Sequence, residues 1–277
     1  MKGITVIKGL VLLSMLGGLL TFFSKTINHQ SSDSTSQYAT SLAATPLIMV
    51  PGTDATVNRF DSLIDSLKKK ITDIDVVKIE VKTDGTLKVE GTMSAKTNHP
   101  IFVIGFEDSS DQTLAKQSGW FQQALQYIQT RYQIKTYNYL GHSNGGLVIT
   151  EYLENQTTTN DPTLGKLMTL GTPFNDVSFD YNEKEDTFDQ PKVVSEQFAS
   201  YLKKNNQIPE GIQMINVVGK VAGTYSDGVV PITSVLAGKL LYNNLASYQE
   251  LIITEDSQHS ALVQNEKVQK TIESFFW

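Results

Sequence analysis

The chain has 277 residues, 40% of them apolar and 19% charged, which suits one large globular domain with a sizeable core. It contains no cysteine, which excludes disulfides, thiolate chemistry, cysteine-based zinc sites and a lipid-modified N-terminal cysteine. Formal net charge is −6, and because residues 1–44 hold three lysines against one aspartate the remainder carries −8, so nucleic acid is not an expected partner.

In chain order, Lys2 and Lys8 precede an apolar run from Gly9 to Phe23, long for a signal-peptide core and short for a full membrane span. Residues 1–23 therefore read as an export signal or membrane anchor, with membrane contact through that segment if it is retained. A Ser/Thr-rich linker over residues 24–45 follows, and Ser41-Leu42-Ala43 is the nearest plausible cleavage site. An extracellular or cell-surface location is expected for the domain at 46–277.

That domain opens on a strand, Pro46 to Val50, ending at the turn-prone Pro51-Gly52-Thr53-Asp54. Phe60, Leu63, Ile64 and Leu67 recur at helical spacing between Asn58 and Lys70. Val76–Val81 and Leu87–Met93 alternate around Asp84-Gly85, a hairpin signal. A strand at Ile101–Phe106 and a helix from about Thr113 to Tyr132 come next. After a further strand to Leu140 and a helix to Leu153, strands are expected at Lys166–Leu170, Gln213–Gly219 and Glu250–Thr254, with a closing helix through Val268 and Ile272. Alternating strands and helices predict an α/β fold with a mostly parallel central sheet covered on both faces. Its site is expected beyond the carboxyl ends of the strands.

Gly141-His142-Ser143-Asn144-Gly145 fits G-x-S-x-G between a predicted strand and a helix that opens on small residues. A turn this tight lifts the serine Oγ above the sheet and leaves the next N–H free to meet an oxyanion, so Ser143 is the candidate nucleophile. Four histidines are available as its base. His29 lies in the linker, His99 precedes a strand, and His142 adjoins the nucleophile with its side chain expected to point away. His259, in a loop between the last strand and the last helix, remains. Asp227, beside Gly228 in the loop after the Gln213–Gly219 strand, best fits the acid that orients this imidazole; Asp256 and Asp176 are its rivals. Oxyanion donors are expected from the backbone N–H of Asn144 and of Thr53, with Asp54 an alternative to the latter, since Pro51 has no N–H.

These pieces resemble the α/β-hydrolase superfamily over residues 46–277, with nucleophile, acid and base in that superfamily's order. More closely, the chain looks like a family of exported α/β-hydrolases of Gram-positive bacteria, catalogued mainly as a domain of unknown function. The hairpin at Asp84-Gly85, Gly141-His142-Ser143, Ser226-Asp227-Gly228, Ser247-Tyr248-Gln249-Glu250, Gln258-His259-Ser260 and the terminal Phe275-Phe276-Trp277 carry the likeness. It departs at Pro51-Gly52, where the family usually has His-Gly, and at Asn144, where a Met is common. The resemblance implies a cap insertion at about residues 174–211, where the sequence is polar and acidic with Phe174, Phe179, Tyr181 and Phe188 interleaved: either a lid whose aromatics line an acyl pocket while its carboxylates face water, or a solvated loop; the acidic spacing there is no EF-hand. The expected activity is hydrolysis of a small-molecule or lipid-like carboxylic ester through an acyl-enzyme, by a lipase- or esterase-like serine hydrolase needing no cofactor and no metal. The alternatives are an acyltransferase or amidase using the same triad, or a cell-surface binding module that keeps the fold without turnover.

Overall fold

The computed structural model describes residues 39–277. His29, the apolar run and most of the linker lie outside them. Strand β1 (Leu47–Val50) is followed by helix α1 (Asp61–Lys68), then by β2 (Ile74–Val81) and β3 (Leu87–Gly91), joined at the turn where Asp84 Oδ1 accepts from the Thr86 amide at 2.9 Å. β4 (His99–Phe106) leads through a short 3-10 turn into the long helix α2 (Leu114–Tyr132), and β5 (Thr136–His142) leads directly into α3 (Asn144–Asn155). After β6 (Thr163–Leu170) the chain forms a long irregular segment and the short helix α4 (Glu196–Leu202). β7 (Gln213–Gly219), the short helices α5 (Ile232–Leu236) and α6 (Gly238–Leu241), β8 (Ser247–Ile253) and α7 (Glu266–Phe276) complete it.

The eight strands form one sheet in the order β3-β2-β4-β1-β5-β6-β7-β8, parallel throughout except for β3. Strand side chains alternate between faces. Ile48 and Val50 join the core built with α2 and α3, whereas Leu47 and Met49 join the core built with α1 and α7. Both faces being covered explains why β1 is apolar at every position. The order also places β1 between β4 and β5, so the loops that leave these three strands lie side by side at one end of the sheet.

The folded unit begins earlier than the sequence predicts. The amides of Thr40 and Leu42 donate to the carbonyls of Arg131 and Tyr132 at the end of α2, and Leu42 packs against the core. Residues 40–42 therefore belong to the fold, not to a free linker. Among the described residues no helix is long and apolar enough to cross a membrane.

Candidate active site

Ser143 stands between β5 and α3 with φ 55° and ψ −127°. A positive φ is costly for a residue with a Cβ and persists only where the surroundings hold it. Here the Ser143 N–H donates to the Leu170 carbonyl at 2.9 Å, and its carbonyl accepts from the Gly146 N–H at 2.9 Å and from Thr172 Oγ1 at 3.1 Å. Buried beneath the turn, Tyr139 Oη donates to the Gly145 carbonyl at 2.6 Å. A Cβ at Gly145 would strike the Val50 carbonyl oxygen, so the end of β1 reaches the elbow only because that position is glycine.

The loops after β7 and β8 bring Asp227 and His259 together. His259 Nδ1 donates to Asp227 Oδ2 at 2.6 Å, and the His259 N–H donates to the Asp227 carbonyl at 2.8 Å. The other carboxylate oxygen, Oδ1, accepts from the Val229 and Val230 amides at 2.9 and 2.7 Å, a tight turn that Gly228 permits with φ 93°. Buried and fully hydrogen-bonded, Asp227 can hold a negative charge against the imidazole. Ser143 Oγ makes no hydrogen bond to His259. Neither rival bonds His259 in place of Asp227: Asp256, in the same loop, is exposed, and Asp176 Oδ1 accepts from the Ser178 amide in a local turn.

His142 has a place the sequence does not reveal. Its ring packs on His259 with centroids 4.7 Å apart, and its Nε2 lies 3.0 Å from the His259 carbonyl oxygen. A carbonyl only accepts, so Nε2 carries the proton. Burial, then the neighbouring His259 and Arg59, lower the His142 pKa from 6.5 to about 3, and the ring stays neutral at ordinary pH. Arg59, from the loop before α1, donates from Nη2 to the Ser260 carbonyl at 2.8 Å, and Asn265 Nδ2, at the start of α7, donates to the Glu255 carbonyl at 2.7 Å. Three side chains thus hold the backbone of the loop that carries His259. His99, by contrast, sits at the start of β4 with its ring edge-on to Trp277.

The loop after β1 crosses directly over Ser143. A Cβ on Gly52 would lie 2.5 Å from Ser143 Cβ and 3.1 Å from its Oγ. The Asp54 amide donates to the Ser109 carbonyl, at 3.4 Å, whereas the Thr53 amide has no acceptor among the described residues. Asn144 opens α3, and a first helical amide has no intrahelical partner. Of the two loop amides named from the sequence, Thr53 is therefore the uncommitted one.

The segment after β6 differs from the predicted cap. Phe174 is buried against Gly238 and Tyr242, Phe188 packs half-buried on the core, and Phe179 is 43% exposed with Lys184 Nζ over its ring. These aromatics do not share one lining. Asn175, whose side chain bonds the carbonyls of Tyr181 and Val193 and the amide of Ser195, knits the segment together. Some of its acidic side chains are partnered: Glu183 accepts from the Lys192 amide, and Asp186 pairs at 2.6 Å with Lys220, which follows β7.

A mostly parallel eight-stranded sheet wrapped by helices, with a strained serine at a strand-to-helix elbow, defines the α/β-hydrolase class. The chain belongs to the family described as alpha/beta hydrolase of unknown function (DUF915), whose pattern it matches over residues 34–277. It is similar in structure to the product of the gene lin2722 of Listeria innocua, at 27% identity and a TM-score of 0.79 over 84% of this chain and 93% of that one. It is similar also to the "putative cell surface hydrolase" of Lactobacillus plantarum WCFS1, at 31% identity and a TM-score of 0.72 over 84% of this chain and 91% of that one. No curated protein matches the chain.

Proposed function

We propose that the protein is a serine hydrolase that cleaves a carboxylic ester through an acyl-enzyme, with Ser143 as nucleophile, His259 as base and Asp227 as the acid that orients it. The observation that carries this reading is the 2.6 Å bond from His259 Nδ1 to Asp227 Oδ2, at the sheet end where Ser143 stands on its elbow. That bond commits the Nδ1 proton, so Nε2 keeps a lone pair for the Ser143 proton as Oγ attacks the ester carbonyl. The carbonyl oxygen becomes anionic in the tetrahedral intermediate and receives the Asn144 and Thr53 amides. His259 passes the proton to the departing alcohol, leaving the acyl group on Ser143. Water then attacks that ester, gives its proton to His259, and the acid leaves with Ser143 restored. Asp227 stays ionised throughout and offsets the imidazolium. The scheme needs no cofactor and no metal.

Exposed Val229, two residues past Asp227, supports an acyl substrate. We also place the enzyme at the cell surface. The basic and apolar pattern of residues 1–23 supports that reading, as does the description of the related Lactobacillus plantarum protein.

Turnover of p-nitrophenyl esters of two to twelve carbons, beside a matched thioester and anilide, tests the reaction class. Ester cleavage that Ser143→Ala abolishes is the expected result. Cleavage that survives Ser143→Ala refutes the scheme, and absence of turnover on all three series favours a binding module.

A further inference from the structure

Thr53 and Asn144, whose amides flank Ser143, are joined through their side chains by a residue that takes no part in the scheme above. Asp111 opens the 3-10 turn Asp111–Thr113 that follows β4. Its Oδ1 accepts from Thr53 Oγ1 at 2.5 Å and from Asn144 Nδ2 at 2.5 Å, while Asn144 Nδ2 also donates to Thr53 Oγ1 at 2.7 Å. The hydroxyl proton and one amide proton, shared between the two oxygens, are engaged within this triangle.

The turn that carries Asp111 is itself anchored. Buried Gln117, on α2, donates from Nε2 to the Ser110 carbonyl at 2.7 Å and to Thr113 Oγ1 at 2.9 Å, and Thr113 Oγ1 lies 3.1 Å from the Asp108 carbonyl. The loop after β1 is tied to the same turn through the Asp54 N–H and the Ser109 carbonyl, and through Ser109 Oγ and the Ala55 carbonyl, both at 3.4 Å. Strand order explains the meeting, because β4 and β5 flank β1 and all three release their loops at one end.

We infer that Asp111 is the positioning residue of the oxyanion hole, its carboxylate fixing the Thr53 amide relative to the Asn144 amide. This rests on reading those amides as oxyanion donors. Asn144 is held by α3, but Thr53 lies on an irregular loop and its amide has no acceptor among the described residues, so its aim depends on what its side chain grips. Donors must lie about 2.7–3.1 Å from the oxyanion, and a displacement of about 1 Å removes most of their effect. The charge of Asp111 does not help turnover, since a carboxylate beside a developing oxyanion repels it. What the hole needs from this residue is an acceptor oxygen at the Oδ1 position.

That distinction sets the test. Asp111→Asn can keep an acceptor oxygen there without the charge, whereas Asp111→Ala removes it. With p-nitrophenyl butyrate, kcat is expected to fall about 10- to 100-fold in Asp111→Ala with KM within about threefold of wild type, and to stay within about fivefold in Asp111→Asn. A wild-type kcat in the alanine variant, or an asparagine variant as impaired as the alanine one, overturns the inference. Amide hydrogen exchange without substrate supplies a second reading: Asp54 and Ala55 should exchange faster in Asp111→Ala while β2 and β4 stay unchanged. Unchanged exchange at those two amides overturns the clamp whether or not esters are turned over. A wild-type protein that is inert to esters but shows the exchange effect keeps the clamp and refutes the hydrolase reading.

Discussion

Glu154 lies on α3, eleven residues past the elbow serine, buried, with neither carboxylate oxygen hydrogen-bonded among the described residues. The charged and titratable groups near it are Glu151 on the same helix, Lys204 after α4, and the phenols of Tyr201 and Tyr242. Lys204 Nζ is bonded to Asn155 Oδ1 instead. Burial, reinforced by Glu151, raises the Glu154 pKa from 4.5 to about 8. A shift that size corresponds to roughly 5 kcal/mol at about 1.4 kcal/mol per tenfold change in proton affinity. Water reaches the helix edge at half-buried Glu151, and screening reduces the working figure to about 2 kcal/mol. A carboxyl whose pKa rises on folding contributes its full stability below its unfolded pKa and loses it as pH climbs through the folded value. Wild-type stability should therefore decline between about pH 5 and pH 9. Glu154→Gln, which mimics the protonated acid in shape, should match wild type at pH 5 and exceed it by about 2 kcal/mol at pH 9.5. For a domain of this size that is about 4–8 °C in Tm. Thermal unfolding of both proteins across the range measures it, and a wild-type-to-variant difference that does not change with pH would refute the reasoning.

Other perturbations follow from the site. Gly52→Ala drives a methyl into Ser143, so kcat should fall at least about 100-fold while Tm changes by only a few degrees, as steady-state kinetics and calorimetry will show. His142, with its pKa at about 3, does not titrate between pH 5 and pH 9, so His142→Phe should lower kcat without changing the shape of the pH–rate profile. The same lowered pKa gives a stability contribution present above pH 6.5 and lost on acidification towards pH 3; acid unfolding of His142→Phe should show a shallower loss in that window. Asp227→Asn keeps the shape of the acid but removes the charge that offsets the imidazolium, and kcat should fall by about 10⁴ with KM little changed.

Local chemistry made part of this molecule legible in the sequence. The β2–β3 hairpin was readable because Asp84 and Gly85 specify their turn through short-range geometry, and the β5–α3 elbow because its glycines are needed within a few residues of Ser143. Short helices were not readable. α5 is buried on every side and so has no amphipathic period, and α4 depends on burying Phe198 and Tyr201 rather than on propensity. The cap aromatics misled for a related reason, since apolar content does not say which wall a ring faces, and Phe174 turned inward to the core. Contacts between distant loops were also hidden. His142 on the His259 carbonyl and Asp111 between Thr53 and Asn144 both follow from strand order, which no local pattern encodes.

Ester cleavage by this scheme stands or falls on an activated Ser143. Intact-mass analysis after exposure to a fluorophosphonate probe tests it most directly, on wild type, Ser143→Ala and His259→Ala. One adduct on wild type that is absent from both variants is the predicted result, because the serine is nucleophilic only with its base in place. A well-folded wild-type protein that takes no adduct, or an adduct that persists in Ser143→Ala, would contradict the account.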